Sequence, residues 1–189
     1  SCAPPQRAVV TAGPPEFAAA DSEEVFITEH YWGYARQKDG STKEYQVEHP
    51  QWRVSPAHDA VLVYSDGGFA NSTVLGDRLA DFVDAGGGVV EAVFANGSIP
   101  LSGRFESGGY EPITGSLQGG GANMNIQIDD PLHPVMAGVT TLDNGTAGFH
   151  TSDAAVANGA LRQARWSNGT PLVATLQTHV GNTVGLNFY

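Results

Sequence analysis

Three side chains in this chain have the type and setting for acid–base work. His133 stands in Asp130-Pro-Leu-His-Pro-Val-Met-Ala-Gly-Val139, His150 in Gly148-Phe-His-Thr-Ser152, and Asp66 in Ser65-Asp-Gly-Gly68. An imidazole titrates near neutrality and can serve as a general base. A hydroxyl nucleophile such as Ser65 or Ser98 beside His150 would also need a third group to orient the base. The Gly-x-Ser-x-Gly elbow that usually presents such a serine is absent. His30, His49, His58 and His179 complete the six histidines. No two have helical metal-ligand spacing, and none sits in a Cys/His cluster, so neither metal nor cofactor is expected. Asp66, Asp129 and Asp130 can line one sheet edge, but no twelve-residue calcium loop is present and they read as a solvated acidic rim. The single cysteine, Cys2, cannot form an internal disulfide.

Binding residues are easier to name than catalytic ones. Tyr31, Trp32, Tyr34 and Trp52 form the densest aromatic group. Such rings stack on sugars or anchor protein contacts, and one face of this group equally serves as core. Asn71, Asn96, Asn144 and Asn168 each open an Asn-X-Ser/Thr sequon. All four fall in predicted turns, where a glycan fits, although Asn-Gly is also good turn chemistry in its own right. The sequons point to a secreted, extracellular glycoprotein, and a start at Ser-Cys-Ala-Pro-Pro without Met reads as a processed terminus.

Charge narrows the partners. Nine Lys and Arg against 20 Asp and Glu give a net charge of −11, which disfavours nucleic acid and anionic membranes. No apolar run approaches the length of a transmembrane helix. Self-association, another extracellular protein or a glycan remain as partners. With 189 residues the chain reads as a single domain, 1–189.

The elements that must position these residues are legible in part. Arg7–Ala12 reads as a strand. Glu24–Arg36 and Thr42–His49 alternate around Lys38-Asp-Gly-Ser41, which predicts a β-hairpin inserted at 20–50. Ala60–Ser65 reads as a buried strand. Leu75, Leu79, Phe82 and Val83 share one helical face, Gly86-Gly-Gly88 stops that helix, and Val89–Ala95 is a second buried strand interrupted by Glu91. This is a βαβ unit. Residues 96–123 are Gly-rich and without periodicity. Leu161–Trp166, Pro171–Gln177 and Thr183–Tyr189, joined at Asn168-Gly169 and Gly181-Asn182, predict an antiparallel meander.

Three passages carry a family resemblance: Asp59–Gly68, Asp130–Val139, and Ala164–Ala174 leading into Gly181–Phe188. In order and character they resemble the class I glutamine amidotransferase-like superfamily, and within it extracellular domains related to the trehalose-utilisation (ThuA-like) family. The resemblance covers about residues 55–189. It implies a flavodoxin-like three-layer α/β sandwich with a mostly parallel sheet, a C-terminal antiparallel meander and the N-terminal hairpin insertion. It also implies a nucleophilic Cys near Phe94–Gly97, where this chain has none. Thiolate attack needs that residue. The expectation is therefore a non-catalytic domain for binding, adhesion or extracellular assembly. The alternatives are a carbohydrate-active enzyme using His133, His150 or Asp66, and a sugar-binding module using Tyr31, Trp32, Tyr34 and Trp52.

Overall fold

The computed structural model describes residues 7–10, 33–36, 42–45, 59–121, 123–146 and 148–188. Its centre is one mixed sheet. Strands β1 (Arg7–Val10), β4 (Ala60–Val63), β5 (Gly88–Ala92) and β13 (Thr183–Leu186) run parallel side by side. Beyond β13 the sheet turns antiparallel through β12 (Pro171–Leu176), β11 (Leu161–Trp166) and β8 (Ile126–Ile128). Three two-stranded ribbons accompany it. These are β2 (Gly33–Arg36) with β3 (Thr42–Tyr45), β6 (Ile113–Thr114) with β10 (Ala155–Val156), and β7 (Gln118–Gly121) with β9 (Gly148–Thr151).

Helices are few among the described residues. Helix α1 (Ser72–Asp84) starts where the Asn71 side chain accepts the Val74 N–H at 3.0 Å, an N-cap. It buries Leu75, Leu79 and Val83 on β4 and β5. Helix α2 (Gly103–Ser107) is a single turn that adds Phe105 to the same core. Gly76 lets the two approach, since a Cβ there would overlap the Ser102 carbonyl oxygen. A second core lies under the antiparallel half, where Trp166, Leu172 and Val173 meet Met124 and Met136.

The flavodoxin-like, mostly parallel sandwich is thus not what the chain builds. Among the described residues the elements are mostly strands with few helices, and the sheet is mixed. The reason is in the connections. A parallel return needs a crossover of a dozen or more residues. The links β11–β12 (167–170) and β12–β13 (177–182) are far shorter, so these strands must alternate direction. The helices described both belong to one core, on one face, whereas a three-layer sandwich needs helices on both.

Candidate functional site

The C-terminal ends of β4, β5 and β13 point the same way and meet the β7–β9 ribbon. This edge holds most of the polar groups that could do chemistry. Ser65, just past β4, is fully buried and its hydroxyl donates to the Ile99 carbonyl at 2.9 Å. Asn96, past β5, is 2% exposed and its amide donates to the Leu186 carbonyl at 3.0 Å. Thr151 reaches Asn96 Oδ1 with its hydroxyl at 3.5 Å. Asn187, past β13, accepts the Thr151 N–H at 2.6 Å and donates Nδ2 to the carbonyls of Thr151 (3.1 Å) and Pro171 (2.9 Å). Trp166 Nε1 donates to the Asn187 carbonyl at 2.8 Å. Such a network fixes the strand ends because buried polar groups left unpaired are costly.

Among the described residues, His150 is the one imidazole brought to this edge. It lies on β9 opposite Gly119 of β7, is 3% exposed, and its Nδ1 is buried without a hydrogen-bond partner. Burial lowers its pKa from the ordinary value of 6.5, so the ring is neutral. Ser98, half-buried, gives its hydroxyl to Gln118 Oε1 at 3.4 Å. No described hydrogen bond links Ser65, Ser98 or Asp66 to His150, so the parts of a catalytic triad are not assembled among the described residues.

The other candidates go elsewhere. His133 caps a 3-10 turn (Pro134–Met136), its Nδ1 accepting the Val135 N–H at 3.2 Å, beside the second core. Asp66 is exposed beyond β4. Asp129 is paired with Arg162 (2.7 Å) and Arg165 (3.1 Å), and Asp130 accepts the Leu132 N–H at 3.0 Å. The rim carboxylates therefore serve separate local contacts. No group of three or more potential metal ligands occurs among the described residues. Tyr31, Trp32 and Trp52 lie outside the described residues; Tyr34 is on β2 in register with Glu44 of β3.

Three of the sequon asparagines also have structural jobs. Asn71 caps α1. Asn144 accepts the Met124 N–H at 2.7 Å. Asn168 accepts both the Thr170 N–H (3.0 Å) and its hydroxyl (2.7 Å). Asn96 cannot carry a glycan in this fold, because its amide nitrogen is buried and bonded.

Two groups escaped sequence reasoning. Glu91 is fully buried at the centre of β5, and neither carboxyl oxygen has a partner. Burial, with the charge of Glu111, raises its pKa well above the usual carboxylate range. Glu111 is pushed up to about 7 by burial and by the charge of Glu106. The signal for Glu91 was the lone charge inside the apolar run Val89–Ala95. Glu111, in the aperiodic Gly-rich stretch, had none.

Exposed apolar side chains flank the same edge. Leu117 is 59% and Phe149 37% exposed, and Phe188 is also exposed. Phe149 meets Phe94 edge-to-face with ring centroids 5.9 Å apart.

Comparison with known proteins corrects the family reading. Residues 4–79 match the family DUF2071, described as an uncharacterized conserved protein. No curated protein matches the chain. Among solved structures, the chain is similar to the cytoplasmic protein STM3548 from Salmonella typhimurium, with TM-score 0.54 and 13% identity over 96% of this chain and 86% of that one. It is also similar to the cytoplasmic protein STM1381 from Salmonella typhimurium LT2, with TM-score 0.52 and 14% identity over 69% of this chain; the match spans 60% of that protein's length. At these identities the likeness is one of fold. The family model that matches is a different one, which overturns the resemblance to the amidotransferase-like superfamily and to the trehalose-utilisation family. Both neighbours are described as cytoplasmic, which points away from the expectation of a secreted protein. The sequons that prompted it are accounted for by capping, turn and core hydrogen bonds.

Proposed function

We propose that this chain is a non-catalytic binding domain that assembles with a protein partner, a second copy of itself in the first instance, through the β7–β9 end of the sheet. One observation carries the reading. The polar side chains at the ends of β4, β5 and β13 are committed to main-chain groups: Ser65 to Ile99, Asn96 to Leu186, Asn187 to Thr151 and Pro171. Beside the exposed Asp66, this edge offers to solvent apolar surface at Leu117, Phe149 and Phe188. Exposed apolar side chains gathered near one edge favour protein contact. The cytoplasmic description of the structural neighbours supports a partner inside the cell.

Sedimentation velocity on the full chain over a wide concentration range tests this. Reversible association is expected, and Leu117→Asp should abolish it without changing the melting temperature. A chain that stays monomeric, and that hydrolyses a glycoside panel in a manner lost in His150→Gln, would replace this reading with the carbohydrate-enzyme one. The buried, unpartnered Nδ1 of His150 is the feature that keeps that second reading worth testing.

A further inference from the structure

We propose that Glu91 and Glu111 form a proton-operated latch, which holds the Tyr110–Ile113 segment on the sheet and releases it when both carboxyls are ionised. The geometry begins with β5. Glu91 lies in register with Val63 of β4 and Gly185 of β13, and is fully buried with both oxygens unpartnered. A carboxylate cannot be held there as an unpaired charge, so Glu91 keeps its proton while the segment is closed.

The segment that covers it is anchored on both sides of Glu111. On one side the Tyr110 carbonyl accepts the Thr183 hydroxyl at 2.8 Å. On the other, Ile113 rests on Gly185, where an added Cβ would come within 3.0 Å of Ile113 Cγ1. Glu111 is thereby placed over β13, beside the strand that carries Glu91. Burial and the Glu106 charge hold Glu111 near neutrality, and the charge of Glu111 further raises Glu91. Glu106, from α2, is the further charge acting on Glu111. Other charged groups nearby are engaged elsewhere. Arg104 binds Asp81 and Asp84, His179 stacks on Tyr110 beside Asp84, and Asp153 accepts the Ser116 and Leu117 amides. The buried face of α1 and the β10 partner of β6 bring only uncharged side chains.

The sign follows from linkage. A carboxyl whose pKa is raised in the fold stabilises it fully below the unfolded value of 4.5, and that stability is lost as pH rises toward the folded value. The opening constant of the segment therefore rises with pH by up to tenfold per unit for each proton released on opening. Below about pH 7 both carboxyls contribute; above it Glu111 is already ionised in the closed state and Glu91 alone contributes.

Hydrogen exchange on the full chain at a series of pH values, corrected for intrinsic rates, reads this at the amides of residues 110–117. The wild type should open more as pH rises past 7, with Glu91→Gln flat above that point and Glu111→Gln shallower below it. Equal pH slopes in the wild type and both variants would overturn the latch. A carboxyl 13C titration of Glu91 in the wild type gives a second reading that needs no variant: a midpoint at the ordinary 4.5 overturns it, and a strongly raised one supports it. Restoration of protection at high pH by calcium or magnesium chloride would replace the proton with a cation and so also overturn it.

Discussion

The side chain of Asn187 brackets the main chain of Thr151. Oδ1 accepts the Thr151 N–H at 2.6 Å while Nδ2 donates to the Thr151 carbonyl at 3.1 Å. One amide thus substitutes for a neighbouring strand at the point where β9 leaves its ribbon and meets the end of β13. The third bond, to the Pro171 carbonyl at 2.9 Å, ties in the start of β12. Three strands of different origin in the chain are joined through a residue that is fully buried.

Asn187→Ala should therefore be among the most damaging single changes. It leaves one buried N–H and two buried carbonyls short of a partner. The expected loss is about 3–5 kcal/mol. A urea titration reads it as a lower midpoint at unchanged m-value. Asn187→Asp should be no better, since it keeps the acceptor for Thr151 N–H but loses both donors and buries a charge. A loss below about 1 kcal/mol for the alanine variant would show that the network relaxes around the gap.

Close packing at the same place gives a paired prediction. A Cβ added at Gly97 would overlap Thr151 Oγ1 and sit 3.2 Å from its Cγ2. Gly97→Ala should destabilise by about 1–3 kcal/mol through overpacking. In a Thr151→Ala background the overlap is relieved to a tight 3.3 Å contact with the Cβ of residue 151, so the two changes should be non-additive by about 1 kcal/mol or more. Additive effects in the double-mutant cycle would place the strain of Gly97→Ala in the backbone instead.

Legibility in the sequence followed the range of the interaction. The strand Ala60–Val63, the helix from Ser72 with its Leu75, Leu79 and Val83 face, and the strand Gly88–Ala92 were readable because periodicity and Gly86-Gly87-Gly88 are local signals. The turn at Asn168-Gly169 announced the β11–β12 hairpin for the same reason. What failed was assembly. The βαβ unit suggested a mostly parallel sandwich, yet no long helix follows it among the described residues, and half the sheet is antiparallel. The aperiodic stretch 96–123 concealed α2, β6 and β7, which are short and held by long-range contacts such as Thr183 to Tyr110. Of the site candidates, His150 reached the sheet edge, while His133 became a turn cap and Asp66 stayed exposed. Sequence names residue types; it does not say that Asn96, Thr151 and Asn187 will consume one another's hydrogen bonds.

His150 and Glu111 should oppose each other in the pH dependence of stability. His150 is held neutral by burial, with its pKa below 6.5. Its contribution is present above 6.5 and is lost as pH falls from there toward the folded value. Glu111 works in the other direction, losing stability as pH rises from 4.5 to about 7. Within this window the rise from His150 offsets part of the fall from Glu111 and Glu91, so the wild-type urea midpoint should fall only shallowly as pH rises. His150→Gln removes one arm, so its midpoint should fall steadily as pH rises through this window. A His150→Gln profile parallel to wild type would show that the ring is protonated, or solvated, in the folded state.

Glu91→Leu is the sharpest single test of how a carboxyl is tolerated in the middle of β5. The fold holds Glu91 with no partner for either oxygen, so removing it takes away a desolvation cost and no hydrogen bond. The leucine joins Val89, Leu101 and Phe105, which already form the core on that face. The variant should gain about 1–3 kcal/mol at pH 8, where the unfolded chain profits fully from ionising this glutamate. Near pH 4.5, the ordinary value for the group, the gain should shrink because the unfolded state then keeps more of its protons. A pH-independent gain would trace the effect to added apolar burial alone. A destabilised variant would mean that the carboxyl has a partner in solution, with water or a cation completing the site.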